Sequence, residues 1–339
     1  IGSCRATEVG PHADSVALSE LPPRLLRVSL LGCGTVGGGV YQRLAALPEL
    51  FSVVAVGTRN VEQAVEDGVP VKVLTPHLDA LITEPVDVVI ELLGGIEPAR
   101  TLISEALRLG RSVVTANKAL LANDFTKLHK ASLRYSAAVG GVVPAIETIN
   151  RARRLSSLQS ISGVLNGTTN FILDELANGS DLAEAVRAAQ KNGYAERDPK
   201  LDLDGTDAAQ KLVLLARAAF DMDLPLRSIE KQGMESLNPK KIRDAKSKGR
   251  VTRLVAECRR VSGDFVASVS PSELPLDHPL ACAPGVENRL LIQSQTGKLW
   301  DIGGRGAGRW PTPEAVLADL FDLRRELINA AEQEQECVA

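Results

Sequence analysis

Apolar and polar positions follow two rhythms along the chain. Leu25-Leu26-Arg27-Val28-Ser29-Leu30-Leu31 is a short apolar run that stops at Gly32, the pattern of a buried parallel strand. Residues 51–56 and 86–93 repeat it, 71–74 is a weaker version, and 112–115 closes the series. Between these runs the period lengthens to that of a helix, around 40–47 and over 98–109. Pro98 suits a first turn there and Gly110 an end. Strands alternating with helices imply right-handed crossovers and a parallel sheet. After about residue 145 the rhythm changes. Residues 158–165 read as a strand, and 171–191 and 206–220 as helical. Residues 251–259, 264–270, 289–294 and 299–302 read as strands of a second, antiparallel sheet, and 312–331 as a final amphipathic helix.

Composition narrows the class. The chain has 339 residues, 44% hydrophobic and 24% charged, with a formal net charge of -3. These are values of an ordinary globular protein, long enough for two domains at roughly 100–200 residues each. The sequence pI of about 5.9 and the 3% of aromatic residues speak against a nucleic-acid partner. No apolar run approaches the ~20 residues that cross a bilayer, so no membrane partner is expected. Cys4, Cys33, Cys258, Cys282 and Cys337 are scattered, odd in number and without a Cys-x-x-Cys pair. A disulfide framework or zinc site is not expected, and reduced thiols of a cytoplasmic protein are. Residues 1–24 have no apolar signal core and are expected to form a disordered tail. The run Asn238-Pro239-Lys240-Lys241-Ile242-Arg243 reads as a solvated helix face.

Gly32-Cys33-Gly34-Thr35-Val36-Gly37 follows the first strand and opens a helix. In that context Gly32 permits a tight turn, Gly34 lets the backbone approach a pyrophosphate, and Gly37 lets helix and strand pack closely. The helix N-terminus, at Thr35 and Val36, offers free N–H groups to the phosphates. The fold class expected is therefore α/β, with a Rossmann-type parallel-sheet nucleotide domain over residues 25–148 followed by an α+β domain. The second strand ends in Val56-Gly57-Thr58-Arg59-Asn60, where an acid would hold the ribose hydroxyls of NAD. Arg59 suits a 2′-phosphate instead, which leans toward NADP and leaves NAD open.

Three further stretches carry polar chemistry. Thr115-Ala116-Asn117-Lys118 lies just past the carboxyl end of a parallel strand, where α/β sheets bind ligands; a loop lysine there is equally compatible with plain exposure. Asn166-Gly167-Thr168-Thr169-Asn170 is a small polar turn, or a helix cap provided by Thr169 or Asn170. Gly193-Tyr194-Ala195-Glu196-Arg197-Asp198-Pro199-Lys200-Leu201-Asp202-Leu203-Asp204-Gly205-Thr206-Asp207 gathers acids ahead of Lys211. Asp207 and Lys211 are four apart on a helix and share a face. By itself that spacing reads as a surface ion pair.

In order and spacing, these stretches together with Glu91-Leu92-Leu93-Gly94-Gly95 and Gly304-Arg305-Gly306-Ala307-Gly308 resemble homoserine dehydrogenases over residues 26–325. The resemblance implies NAD(P)-dependent interconversion of L-homoserine and L-aspartate 4-semialdehyde, a step toward threonine and methionine. It implies a catalytic and dimerisation region over 149–310, a helix over 311–339 returning to the nucleotide domain, and a homodimer or higher homo-oligomer. Glu196 and Asp202 would hold the substrate ammonium, with Thr168 and Gly193 nearby. Lys118 and Lys211 would sit at the reacting oxygen, and Asp207 would orient Lys211 or the substrate. Gly94, Asn117, Lys118 and Gly308 would join Gly32, Gly34, Thr35, Val36, Gly37 and Arg59 at the cofactor. Family members carry a glutamate that helps backbone carbonyls hold a monovalent cation. Ser136 stands there in this chain, a poorer ligand, and leaves the backbone of Val139 and Gly141 as the remaining candidate. The sequence ends about where longer relatives begin a regulatory domain, so a short form is expected.

Overall fold

The computed structural model describes residues 25–128, 132–235, 237–283, 285–306 and 311–338. The tail expected at 1–24 and the cofactor candidate Gly308 lie outside them.

The first half alternates strand and helix. Strands β1 (Leu26–Leu31), β2 (Phe51–Gly57), β3 (Leu74–Thr75), β4 (Val88–Glu91), β5 (Ser112–Thr115) and β6 (Leu133–Arg134) form one parallel sheet in the order β3-β2-β1-β4-β5-β6. The helices are α1 (Thr35–Ala45), α2 (Val61–Glu66), α3 (Leu78–Thr83), α4 (Ala99–Arg108) and α5 (Lys118–Leu128). Val28, Leu30, Val88 and Ile90 are fully buried, as strands covered on both faces require. This is the doubly wound order of Rossmann folds, whose ligand crevice opens outside the carboxyl ends of β1 and β4. Residues 71–74, expected as a strand, are a 3-10 turn over Val71–Val73 followed by the two-residue β3. Pro70, at φ -63°, begins that turn. Lys118 does not sit in a loop. It opens α5, which Asn117 caps by accepting the N–H of Leu120 at 3.1 Å.

Helix α6 (Ala145–Leu155) runs through residue 148 and leads into the second half. There follow β7 (Leu158–Val164), α7 (Gly167–Asn178), α8 (Leu182–Lys191), α9 (Lys200–Leu203), α10 (Thr206–Phe220), β8 (Glu230–Lys231), α11 (Pro239–Ser247), β9 (Arg250–Val261), β10 (Asp264–Pro275), β11 (Glu287–Ser294), β12 (Leu299–Arg305) and α12 (Pro311–Val338). The second sheet has the order β12-β11-β7-β9-β10-β8 and is antiparallel except where β8 joins β10. Helices α7, α10 and α11 pack on the face that carries Ile161, Cys258 and Ile292, all buried. On the opposite face Leu299, Gln293, Ser160, Arg259 and Val266 form one row across five strands. Leu299 and Val266 are about half exposed there. Helix α12 returns to the first sheet, where Val316, Leu320 and Leu323 pack with Leu26, Val40, Leu44 and Phe51. Among the described residues no helix is long and apolar enough to cross a membrane.

Candidate active site

The glycine turn after β1 is tight on one side and open on the other. Gly32 has φ +105°, and a Cβ there would lie 2.9 Å from the carbonyl atoms of Leu92. A Cβ on Gly37 would come within 2.3 Å of the Gly32 oxygen, so only glycine lets α1 pack this close to the turn. A Cβ on Gly34 would meet nothing within 4 Å. Gly34 is the N-cap of α1 and supplies no side-chain cap. The first-turn N–H groups of Thr35, Val36 and Gly37 therefore lack intrahelical partners and flank open space, which fits a pyrophosphate. After β2, Thr58 Oγ1 accepts the Asn60 N–H at 3.1 Å, and Asn60 caps α2. Arg59 between them is exposed.

Across the crevice, the fully buried Glu91 ends β4. Its Oε1 accepts the N–H of Leu93 at 2.8 Å, the N–H of Gly94 at 3.3 Å and Asn117 Nδ2 at 3.4 Å; its Oε2 accepts Thr115 Oγ1 at 2.5 Å. Burial pushes this carboxyl up against the pull of those four donors. Gly94 and Gly95 both have φ +71°, and Asn117 Nδ2 reaches the Gly95 carbonyl at 2.7 Å.

The second half brings its chemistry to the same place. Asn166 follows β7 and caps α7, accepting the Thr169 N–H at 2.9 Å. This corrects the expectation that Thr169 or Asn170 serves as the cap: Thr169 Oγ1 instead donates back to the Asn166 carbonyl. The Asn166 amide donates to Asp202 Oδ1 at 2.6 Å and to Asp207 Oδ2 at 2.8 Å. Lys211 Nζ lies 2.8 Å from Asp207 Oδ2 and donates to the Leu165 carbonyl at 2.7 Å. Lys118 Nζ, from the first half, lies 3.3 Å from Asp207 Oδ1. Asp207 and Lys211 are each only 7% exposed, so the pair is not the surface ion pair that its spacing alone suggests. Burial raises the Asp207 carboxyl, but Lys211 and Lys118 outweigh it and hold it down at about 2. Asp202 is pushed up by burial, with the Asn166 hydrogen bond opposing and the Asp207 charge adding.

The remaining residues gather less tightly. Thr168 Oγ1 donates to the Tyr194 carbonyl at 2.5 Å, which ties α7 to the loop carrying Gly193 and Glu196. Gly193, at φ +72°, and Glu196 are exposed, and the Glu196 side chain is not drawn into the Asp202–Asp207–Lys211 cluster. Val139 ends the 3-10 turn Ser136–Ala138, and Gly141, at φ +55°, presses against Arg305 and Gly306. Asp319 on α12 accepts the Ser136 N–H at 3.0 Å beneath that turn. Among the described residues no three His, Cys, Asp or Glu side chains gather as metal ligands. Sequence reasoning quoted Glu91 and Asn166 within its motifs but gave neither a site role. A polar residue at the last position of an apolar strand was the available signal for the first, and an Asn at a strand-to-helix junction for the second.

Comparison with known proteins agrees with this geometry. A family model described as "Homoserine dehydrogenase, NAD binding domain" matches residues 32–139, and one described as "Homoserine dehydrogenase" matches 144–321. A homoserine dehydrogenase of Synechocystis sp. is 36% identical over 316 residues, 88% of this chain and 73% of that protein. The solved homoserine dehydrogenase of Thiobacillus denitrificans superposes with a TM-score of 0.83 at 33% identity, covering 89% of this chain and 74% of that one. A putative homoserine dehydrogenase of Archaeoglobus fulgidus gives 0.79 at 30% identity, covering 88% and 99%.

Proposed function

The chain belongs to the homoserine dehydrogenase family, and from that premise we propose how its residues share the work of this oxidoreductase. Bound at the glycine turn, a nicotinamide cofactor would supply the hydride chemistry that interconverts the homoserine alcohol and the semialdehyde at C4. Gly32, Gly34, Thr35, Val36 and Gly37 would hold its pyrophosphate, and Gly94, Asn117 and Lys118 would line its other end. Gly308 is proposed there by resemblance alone.

Lys211 handles the proton at the reacting oxygen. Its ammonium donates to the Leu165 carbonyl and to Asp207, and an ammonium has three donors. The third serves the substrate: it protonates the oxygen as aldehyde becomes alcohol, and the resulting amine takes the proton back in the other direction. Lys118 polarises the same oxygen, and Asp207 aims both lysines. Asp202 receives the substrate ammonium, with Thr168 and Gly193 alongside. Glu196, exposed on the neighbouring 193–197 loop, would join it there.

One observation carries this reading: a buried carboxylate shared by two lysines that come from helices of different halves of the chain, α5 and α10. The test is Lys211→Ala, expected to abolish turnover while the cofactor dissociation constant, measured by calorimetry, stays within about twofold. Retention of more than about a tenth of wild-type kcat, a barrier change under ~1.4 kcal/mol, refutes the proton role.

The finer assignments belong to the same proposal. Exposed Arg59, where an acid would select NAD, supports NADP as the tighter cofactor. The half-exposed Leu299 and Val266 on the open face of the second sheet support a homodimer through that face. Reduced Cys33 and Cys258 agree with a cytoplasmic enzyme of threonine and methionine biosynthesis. The Val139 and Gly141 carbonyls are the groups that would hold a monovalent cation, with Ser136 offering no carboxylate to help them.

A further inference from the structure

The turns carrying Gly94 and Lys118 come from different strands, 24 residues apart in sequence, yet one carboxylate ties them. Glu91 Oε1 takes the N–H groups of Leu93 and Gly94, and Oε2 takes the Thr115 hydroxyl. Thr115 Oγ1 in turn accepts the Asn117 N–H at 3.0 Å. Asn117 then bonds to Gly95 on one side and caps α5 on the other. Lys118 is the first residue of that helix, and its Nζ meets Asp207. Hydrogen bonds therefore run from the floor of the nucleotide crevice to the Asn117 cap of α5, and the first residue of that helix, Lys118, carries the connection on to the shared carboxylate of the substrate site through its ion pair with Asp207.

All four groups facing Glu91 are hydrogen-bond donors, and no lysine or arginine pairs with it among the described residues. The feature that cannot be replaced is its length. We propose that Glu91 is a positioning residue for hydride transfer, whose reach sets the spacing between the 92–95 turn and the Lys118 ammonium; this rests on the reading of Lys118 given above. A glutamine has the same reach. Its carbonyl accepts from Leu93 and Gly94, and its amide donates to Thr115 Oγ1 once that hydroxyl rotates. An aspartate keeps the charge but is one methylene short and cannot hold both turns. Misplacement by about 1 Å at a reacting centre can cost on the order of a hundredfold in rate.

The experiment compares Glu91→Gln and Glu91→Asp in the full chain. Steady-state kinetics, calorimetric cofactor dissociation constants and melting temperatures are measured, with Lys118→Ala and the Lys118→Ala/Glu91→Asp double variant alongside. Positioning through Lys118 requires Glu91→Gln to keep at least about a third of wild-type kcat. Glu91→Asp should lose about tenfold or more while melting within a few degrees of wild type. On the Lys118→Ala background Glu91→Asp should cost less than about twofold more, because acting through a removed group leaves nothing further to lose. If glutamine is as damaging as aspartate, or if aspartate costs its full factor on Lys118→Ala, the proposal is overturned. A wild-type kcat for Lys118→Ala would instead bring down the reading of Lys118 on which it rests.

Discussion

Replacing Asp207 by asparagine removes one charge and little else. The carboxylate lies within 3.3 Å of Lys118 Nζ and 2.8 Å of both Lys211 Nζ and the Asn166 amide. Its carboxyl falls from an ordinary 3.8 to about 2. That is close to two pKa units, or about 2–3 kcal/mol of preference for the ionised form. A depressed carboxyl stabilises the fold above its unfolded pKa and loses that contribution as pH falls through its folded one. The wild-type advantage over Asp207→Asn should therefore be complete at pH 7 and vanish between about pH 4 and pH 2. At neutral pH the loss should reach about 2–4 kcal/mol, because the variant also strands the buried Lys211 ammonium beside a neutral amide. Urea titrations at several pH values measure this directly. Turnover should fall at least about a hundredfold, since neither lysine stays aimed at the substrate oxygen. A stability change under about 0.5 kcal/mol at pH 7, or one that does not shrink in acid, would refute the argument that Asp207 is the hub.

Three other outcomes follow from named contacts. Arg59→Asp should reverse the NADP preference by repelling the 2′-phosphate and accepting the ribose hydroxyls; an unchanged ratio of the two dissociation constants would remove Arg59 from cofactor reading. Burial, joined by the neighbouring Glu147 charge, raises Asp319 to about 7 against the pull of the Ser136 hydrogen bond. A raised carboxyl makes the folded state bind the extra proton, so wild-type stability should fall by about 4 kcal/mol between roughly pH 4 and pH 7. Asp319→Asn should flatten that slope in a melting-temperature series, and an unaltered slope would count against the assignment. Sedimentation at micromolar concentration should show a dimer that Val266→Glu dissociates.

The strands with both faces buried were readable because their runs are largely apolar: β1, β2 and β4 fall within or close to the predicted 25–31, 51–56 and 86–93, with β4 shorter than expected. Helix α10 matches its expected limits of 206–220 because its apolar stripe is regular and Gly205 stops the chain before it. Helices α5 and α6 were not legible. The cap of α5 is Asn117, buried in a polar turn, and α6 begins behind Pro144 in a stretch of mixed polarity. At the site, the Asp207–Lys211 pair is local, and its four-residue spacing is visible in sequence. Its burial is not, because that depends on the elements packed around α10. Glu91 was hidden for a related reason: its partners Thr115 and Asn117 lie 24 and 26 residues away, on the next strand and the turn beyond it. Lys118 meets Asp207 only through the packing of α5 on α10.

The return of α12 bears on how the chain matures on the ribosome. The first parallel sheet is complete by Arg134, yet one flank of its core is covered only when Val316, Leu320 and Leu323 arrive. Phe321 then meets the Phe51 ring at 5.6 Å, and Glu314 and Glu326 pair with Arg43 and Arg134. Translation at about 5–20 residues per second separates those events by roughly 10–40 s. During that interval the nascent nucleotide-binding half displays an apolar stripe with no covering helix. The nascent chain would offer that stripe to a chaperone before its own C-terminus can claim it. Truncation before α12 would make the interval permanent, and the nucleotide-binding half cannot be counted on as an independent folding unit.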